Sequence, residues 1–385
     1  MVKILKIIND AFGNVIVKIP CHNTIENWVK KCGLEAYNAS GKKFKKNDYA
    51  QIVDESMMIG SEKLLLTLGV PANHQNRPLA CNDVAILDIA VTESWNGEGV
   101  KNRLITASQK VGREPKYVIS DNASIMSKGI RESGFKHHRD ISHSLGMFLE
   151  RAYKKESDFI NYCKLMTEPK FKYNMKKIAY LLPPKQRTIA RFINLSGWIR
   201  WSFKMLKIYH NLSVEEQQVF SFIPANASLI EELSKVQKCV HKIESYCKKD
   251  GLSTETVEKC QYEINQYLTT GNMRMINLGN ELINFLKEEI EDIKPNAAYN
   301  NSSDIIESLF GKYKARKSPN KLNGVTPFVL FLPLYTELSK DSKVKKFDFK
   351  EALENTTMKD VERWTEHNLK PNRMKLRMEK LNKVA

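Results

Sequence analysis

The alternation of apolar and polar positions changes period along the chain, and each period predicts its own kind of element. Between 48 and about 147 the apolar residues come in short runs divided by turn residues. YAQIVDES (49–56) alternates and is β-branched. EKLLLTLGV (62–70) and DVAILDIAV (83–91) are continuous runs of strand length, as expected of strands covered on both faces. NGEGVKNRLITASQKVG (96–112) has helical spacing, and PKYVISD (115–121) is a strand entered over a Pro turn. IMSKGIRESG (125–134) is a short helix and HHRDISH (137–143) predicts a last strand. From about 147 to 292 the period is almost wholly helical, at 172–180, 185–209 with breaks, 213–221, 226–249, 254–270 and 274–292. A polar, Pro-containing break (294–303) leads to a helix at 304–316, another near 325–339, and a basic end. Ahead of the strands, IPCHNTIENWVKKCGL (19–34) predicts a short amphipathic helix capped by Asn23 or Thr24. Ile25, Trp28 and Val29 share one face, and Gly33 ends it. The lysine-rich GKKFKK (41–46) that follows reads as a linker.

Three consecutive strands can form a meander, and the later strand-helix-strand units add parallel strands through right-handed crossovers. That order is the one of a ribonuclease H-like core. The expected fold is therefore α/β: a ribonuclease H-like mixed sheet flanked by helices, interrupted by a large all-α insertion and preceded by a short N-terminal helical DNA-binding element. The expected boundaries are 1–47 for a partial helix-turn-helix-like element with its linker and 48–147 for the first part of the core. They continue with 148–300 for the insertion, 301–340 for the last core helices, and 341–385 for a basic C-terminal segment.

Composition narrows the partners. With 385 residues, 42% of them hydrophobic, the chain can build sizeable cores. Its formal charge of +17 suits a polyanion, because each neutralised phosphate releases condensed counterions. Nucleic acid fits better than a membrane. No apolar run reaches the roughly 18 residues of a spanning helix, and the first residues lack a signal-peptide pattern, so a cytoplasmic protein is expected. The seven cysteines are scattered without a C-x-x-C pair and read as reduced thiols.

Three carboxylates stand where phosphoryl-transfer chemistry would need them. Cutting and joining DNA are in-line displacements, and two magnesium ions about 3.5–4 Å apart can stabilise both the entering and the leaving oxygen. Magnesium takes oxygen ligands, so carboxylates from distant parts of the chain must meet at strand ends. Asp54 lies near the end of the first strand, Asp121 ends the fourth, and Glu307 sits in the helix that follows the insertion, with Ser302 or Ser303 as its N-cap. Asp88, inside AILDIAV, rivals Asp54, but it belongs to the third strand whereas the first is central in such a core. Any one aspartate at a strand end is an ordinary turn or cap residue; the combination carries the reading.

VDESMMIGSEKLLLTLGV, YVISDNAS, DISHSLGMFLE and SSDIIESLFGKYK together resemble the motif series of bacterial insertion-sequence transposases with a ribonuclease H-like Asp-Asp-Glu domain, with hAT-like features. The resemblance runs from about residue 20 to 370, and SDIIESLFGKYK is its most specific piece. It implies that Asp54, Asp121 and Glu307 bind two Mg²⁺ ions, with Mn²⁺ able to substitute. It also implies an endonuclease that nicks the terminal inverted repeats of a mobile element and joins the freed 3′-hydroxyls to target DNA. Both ends must be processed together, so a homodimer or larger synaptic complex on double-stranded DNA is implied, at the bacterial nucleoid.

Further residues follow from the same resemblance. His143 is similar in position to a His that hAT-like transposases place near the catalytic pocket; its other reading is a His hydrogen-bonded at a strand end. Trp198 and Trp201, in SGWIRWSFK, could stack a flipped base, or form a core stripe at helical spacing. Lys30 and Lys31 would contact phosphate from the N-terminal helix, unless that helix packs on the core. Lys312, Lys314 and Arg316, with Lys317, follow Glu307 where a DNA strand would enter, or make a solvated basic face. The competing functions are a catalytically inactive DNA-binding protein derived from a degraded element, and another ribonuclease H-like nuclease such as a junction resolvase.

Overall fold

Apolar runs at 49–71 and 85–92 pair into the centre of a five-stranded sheet. It comprises β1 (Tyr49–Glu55), β2 (Lys63–Pro71), β3 (Ala85–Thr92), β4 (Val118–Ser120) and β5 (His137–Arg139), in the order β3-β2-β1-β4-β5. The computed structural model describes residues 2–56, 58–185, 196–317, 324–339, 347–371 and 373–384. The chain divides into two units. Unit 1 holds Met1–Asn73, Leu79–His138 and Ser303–Ala385; unit 2 holds His74–Pro78 and Arg139–Ser302.

In unit 1 the sheet is mixed. β2 runs antiparallel to both β1 and β3, and β4 runs parallel to β1. β2 is buried from Leu64 to Val70, which explains why its sequence does not alternate. Before the sheet come α1 (Val2–Ala11) and α2 (His22–Ala39); between the strands come α3 (Gly97–Val111) and α4 (Ser124–Ser133). Asn96 caps α3 by accepting from Gly99 N at 2.8 Å, and Gly112 ends it at φ 81°. α3 and α4 bury Val100, Leu104, Met126 and Ile130 against Val53, Leu65 and Val118. Each such side chain contributes roughly 1.5–3 kcal/mol on burial.

Three local expectations change here. The linker at 41–46 is a 3-10 turn (Ser40–Phe44) whose Phe44 is buried and stacks on Tyr49 at 5.6 Å. The helix expected at 19–34 starts at His22 and runs through Gly33 to Ala39. Gly33 marks a close approach rather than a stop, since a Cβ there would stand 2.0 Å from the Leu330 carbonyl oxygen. The last strand ends at Arg139 instead of 143, because Asp140 turns out of the ladder and caps the next helix, accepting from His143 N at 2.8 Å.

Unit 2 is helical among its described residues: α5 (Ile141–Tyr153), α6 (Ser157–Tyr173), α7 (Ser196–Ile208), α8 (Val214–Val219), α9 (Phe222–Ala225), α10 (Ala227–Asp250), α11 (Thr254–Tyr267) and α12 (Met273–Ile290). Its core draws on the inward stripes of these helices, among them Tyr162, Ile230, Ile243, Ile264, Leu282 and Leu286. The helix expected at 172–180 is instead the end of α6 and a 3-10 turn at Lys177–Leu181. The first part of the 185–209 helix lies outside the described residues. His74 joins this unit through its N–H to Ala298 O, 2.7 Å.

The chain returns to unit 1 with α13 (Asp304–Lys314), α14 (Phe331–Leu338), α15 (Phe349–Asn355), α16 (Met358–Asn368) and α17 (Arg373–Val384). α13 packs on β1 and α14, while α2 packs on α14, α15 and α16 through Cys32, Leu34, Ala36 and Tyr37. Trp364 of α16 meets Tyr37 edge-on at 5.7 Å. α2 and α16 are thus parts of the sheet unit. No helix among the described residues is long and apolar enough to cross a membrane.

Candidate active site

The centre of the sheet sets the geometry. β1 and β4 pair in parallel with Gln51 opposite Val118 and Ile52 opposite Ile119. Two further steps along both chains bring Asp54 level with Asp121. Asp54 near the end of β1 and Asp121 just past the end of β4 therefore belong to the same ends of two neighbouring strands. Val53 belongs to the core under α3 and α4; Asp54, the next residue, therefore belongs to the opposite face. Both aspartates are partly exposed. Asp54 Oδ1 accepts from Glu55 N at 2.7 Å, and Asp121 Oδ1 accepts from Ala123 N at 3.1 Å, the turn that lets α4 begin.

A residue that sequence reading missed supports this end of β4. Ser120 is fully buried, and its hydroxyl donates to the Asp121 carbonyl at 2.9 Å. Its oxygen also lies 2.9 Å from Nε2 of His137 on β5. With the hydroxyl hydrogen committed to the carbonyl, the ring N–H is the donor. The paired histidines of HHR were visible in the sequence; that the first of them stands beside Ser120 needed the strand order.

Glu307 comes from α13. The helix buries Ile305, Ile306, Leu309, Phe310 and Tyr313 and leaves Glu307 exposed. Glu307, Gly311 and Lys314 fall on one stripe, at i, i+4 and i+7. A Cβ at Gly311 would meet nothing within 4 Å, so the middle of that stripe is open. Burial holds the Lys314 ammonium below the usual lysine range; Asp54 pulls it back up, Lys317 pushes it down, and Glu307 also pulls it up. Lys314 thus lies in the fields of both carboxylates. Among the described residues, however, no three His, Cys, Asp or Glu side chains are grouped closely enough to hold a metal ion. The ladder brings Asp54 and Asp121 together, and Glu307 is not drawn into the same group.

Asp88 has a different role. It is level with Thr67, which is level with Val53, so it lies on the face opposite Asp54. It is 1% exposed and receives Arg103 Nε at 2.6 Å and Nη2 at 2.9 Å, with the Tyr37 hydroxyl at 3.3 Å. Burial raises its carboxyl pKa and Arg103 opposes that rise. Beside it, burial pushes the Lys110 ammonium down to about 7, against the pull of Asp88. This is a buried ion pair that ties β3 to α3, on the sheet's edge strand.

The remaining expected residues are placed as follows. His143 is in the first turn of α5, in unit 2; its Nδ1 is 2.9 Å from Oδ1 of the fully buried Asp140, within a helix cap. Trp198 is buried and donates to Pro184 O at 2.9 Å. Trp201 donates to Leu181 O at 3.0 Å and lies edge-on to Phe220. Both indoles are core groups of unit 2. Lys30 pairs with Glu26 at 2.6 Å and Lys31 donates to Leu353 O, so both ammonium groups already have partners inside unit 1. Lys312 lies over Tyr335 at 5.2 Å, Arg316 over Phe331 at 5.1 Å and Lys314 over Phe310 at 5.8 Å.

Compared with protein-family models and with curated proteins, the sequence matches none.

Proposed function

We propose that this chain is a DNA transposase of the Asp-Asp-Glu kind, built on a ribonuclease H-like unit and acting at the bacterial nucleoid. It would cut at the terminal inverted repeats of a mobile element and join the 3′-hydroxyl ends to target DNA. The observation that supports the reading is the parallel pairing of β1 with β4, since Asp54 lies near the end of the one and Asp121 follows the end of the other. The strand order and the interruption of the sheet unit by a helical unit support it. The oxygen donors suit a hard cation, and Asp54, Asp121 and Glu307 would hold Mg²⁺ or Mn²⁺. Bound there, the ions would lower the pKa of the attacking water or 3′-hydroxyl and offset charge on the leaving oxygen.

The chain's own side chains have separable tasks. Ser120 and His137 fix the Asp121 carbonyl and with it the turn that presents the carboxylate. Lys314, the last residue of the helix that carries Glu307, would offer a cationic group to a phosphate backbone, and Arg316 would add another from just beyond that helix. The gap at Gly311 leaves room for a DNA strand along that stripe.

The test uses a labelled duplex made from the DNA flanking the coding sequence, with Mg²⁺ or Mn²⁺, and wild type against Asp54→Asn, Asp121→Asn and Glu307→Gln. Metal-dependent nicks and joined products that vanish in all three variants, with DNA binding retained, are the expected result. Nicks without joined products would favour a nuclease. Binding with neither product would favour the protein of a degraded element.

A further inference from the structure

The end of α6 and the turn after it form a surface that the catalytic reading does not use. From Lys164 to Lys185 the chain has six lysines and one acid, Glu168. Large apolar side chains stand out among them: Phe171 is 89% exposed, Met175 95% and Tyr180 76%. Solvation of lysines at a helix C-terminus is ordinary and favoured by the helix dipole. Two nearly fully exposed apolar groups four residues apart, bracketed by Lys172, Lys176 and Lys177, are not explained that way.

The tip is also structured. Lys176 N donates to Tyr173 O at 3.0 Å and Ala179 N to Lys176 O at 3.0 Å, so the turn is closed by backbone bonds. The Tyr180 hydroxyl donates to Glu216 Oε1 at 3.0 Å, which fixes the ring while leaving its face open. Lys170 donates to Pro184 O at 2.6 Å, and the neighbouring charge of Lys185 adds to burial in lowering its pKa. Like charges are therefore held close together, an arrangement that a polyanion relieves.

We propose that this tip of unit 2 binds DNA with exposed bases, the lysines tracking the phosphates and Phe171 stacking on a base, with Tyr180 as a second platform. The choice of DNA as the partner rests on the transposase reading. Single-strand binders combine a positive track with aromatic faces in this manner. Opening a duplex near its cut end would supply such bases.

The experiment measures binding of a labelled single-stranded oligonucleotide to the full chain, without metal, across a salt series. Lys172→Gln/Lys176→Gln/Lys177→Gln is expected to flatten the slope of log affinity against log salt by about 2, at roughly 0.7 per lost phosphate contact. Phe171→Ala is expected to weaken binding about 5- to 150-fold with the slope unchanged. Every substituted residue is exposed, so the melting transition should stay in place. An unaltered slope and affinity in both variants would overturn the proposal. So would loss of binding to phosphatidylglycerol vesicles in place of loss of DNA binding. Metal-dependent cleavage of the labelled duplex, measured beside binding, separates the two readings. If wild type binds through the tip yet yields no metal-dependent product, the catalytic reading fails and the tip stands; cleavage with an unaltered slope in the tip variants gives the converse.

Discussion

Asp54 and Asp88 both sit in strands, and the structure gives them opposite consequences on substitution. Arg103→Met would strand the Asp88 carboxylate, 1% exposed, with the loss of bonds of 2.6 and 2.9 Å. The Tyr37 hydroxyl at 3.3 Å is too long to replace them. Removing one partner of a buried pair costs about 3–5 kcal/mol. For a domain of this size that corresponds to a fall in melting temperature of roughly 6–20 °C. Asp88→Leu/Arg103→Met removes both charges and should recover much of the loss, because two apolar groups can replace a buried pair at little cost. Asp54→Asn keeps an oxygen for Glu55 N and should change stability by about 1 kcal/mol or less. Thermal melts of the four proteins read the stability half; metal-dependent DNA nicking reads the other. The double variant should retain nicking. Asp54→Asn should lose at least the 10–100-fold that disturbing a metal ligand's hydrogen-bond partner costs. An Asp54→Asn protein that melts far below wild type, together with a folded double variant that no longer nicks, would refute the assignment and move the first ligand to Asp88.

Other consequences can be checked independently. Lys110 titrates near 7 when folded and near 10.4 when unfolded, so between these values the unfolded chain binds the extra proton and stability from this group rises with pH. From pH 7 to 9.5 the gain is on the order of 3 kcal/mol by urea titration, and Lys110→Met should abolish it; a rise that persists in the variant would place the titration elsewhere. Gly33→Ala should destabilise by about 1–3 kcal/mol despite the better helix propensity of Ala, because the new Cβ would meet the Leu330 carbonyl. A more stable Gly33→Ala protein would disprove that contact. Mn²⁺ titrated by electron paramagnetic resonance should bind the free chain weakly and at least about tenfold more tightly with DNA present, since such ions draw on substrate phosphates as well as carboxylates. Equal affinities in the two conditions would count against the site.

Much of the sheet could be read from the sequence because its signal is local. The strands at 49–55, 63–71 and 85–92 are the apolar runs themselves; Asp54 lies near the end of the first, and Asp121 follows the short strand at 118–120. What escaped reading depended on partners distant in sequence. Gly33 has the composition of a helix end, yet its reason is Leu330. Asp140 and His143 continue an alternating pattern, and only the cap bond to His143 N shows a helix beginning there. Phe44 sits in a lysine-rich run that looks like a linker until Tyr49 and the sheet are in place beneath it. Asp88 reads as a candidate ligand because Arg103, fifteen residues away, is separated from it by a turn and half a helix. α16 sits in a strongly charged stretch where Val361 and Trp364 alone turn inward.

The two kinds of placement at the candidate site differ in firmness. The parallel ladder pairs Gln51 with Val118 and Ile52 with Ile119, all fully buried, which anchors the strand ends ahead of Asp54 and Asp121 in the core. Asp54 and Asp121 thus follow directly on buried strand residues. Glu307 stands exposed in the first turn of α13, whose opposite side docks through Ile306, Leu309 and Tyr313. A long, exposed carboxylate can adopt many rotamers, and ordering it costs side-chain entropy of roughly 1.5–2 kcal/mol. Bound cation and DNA phosphate can repay that cost together, whereas folding alone does not. Lys314, seven residues along the same stripe, lies in the fields of Asp54 and Glu307 and adds positive charge beside both carboxylates.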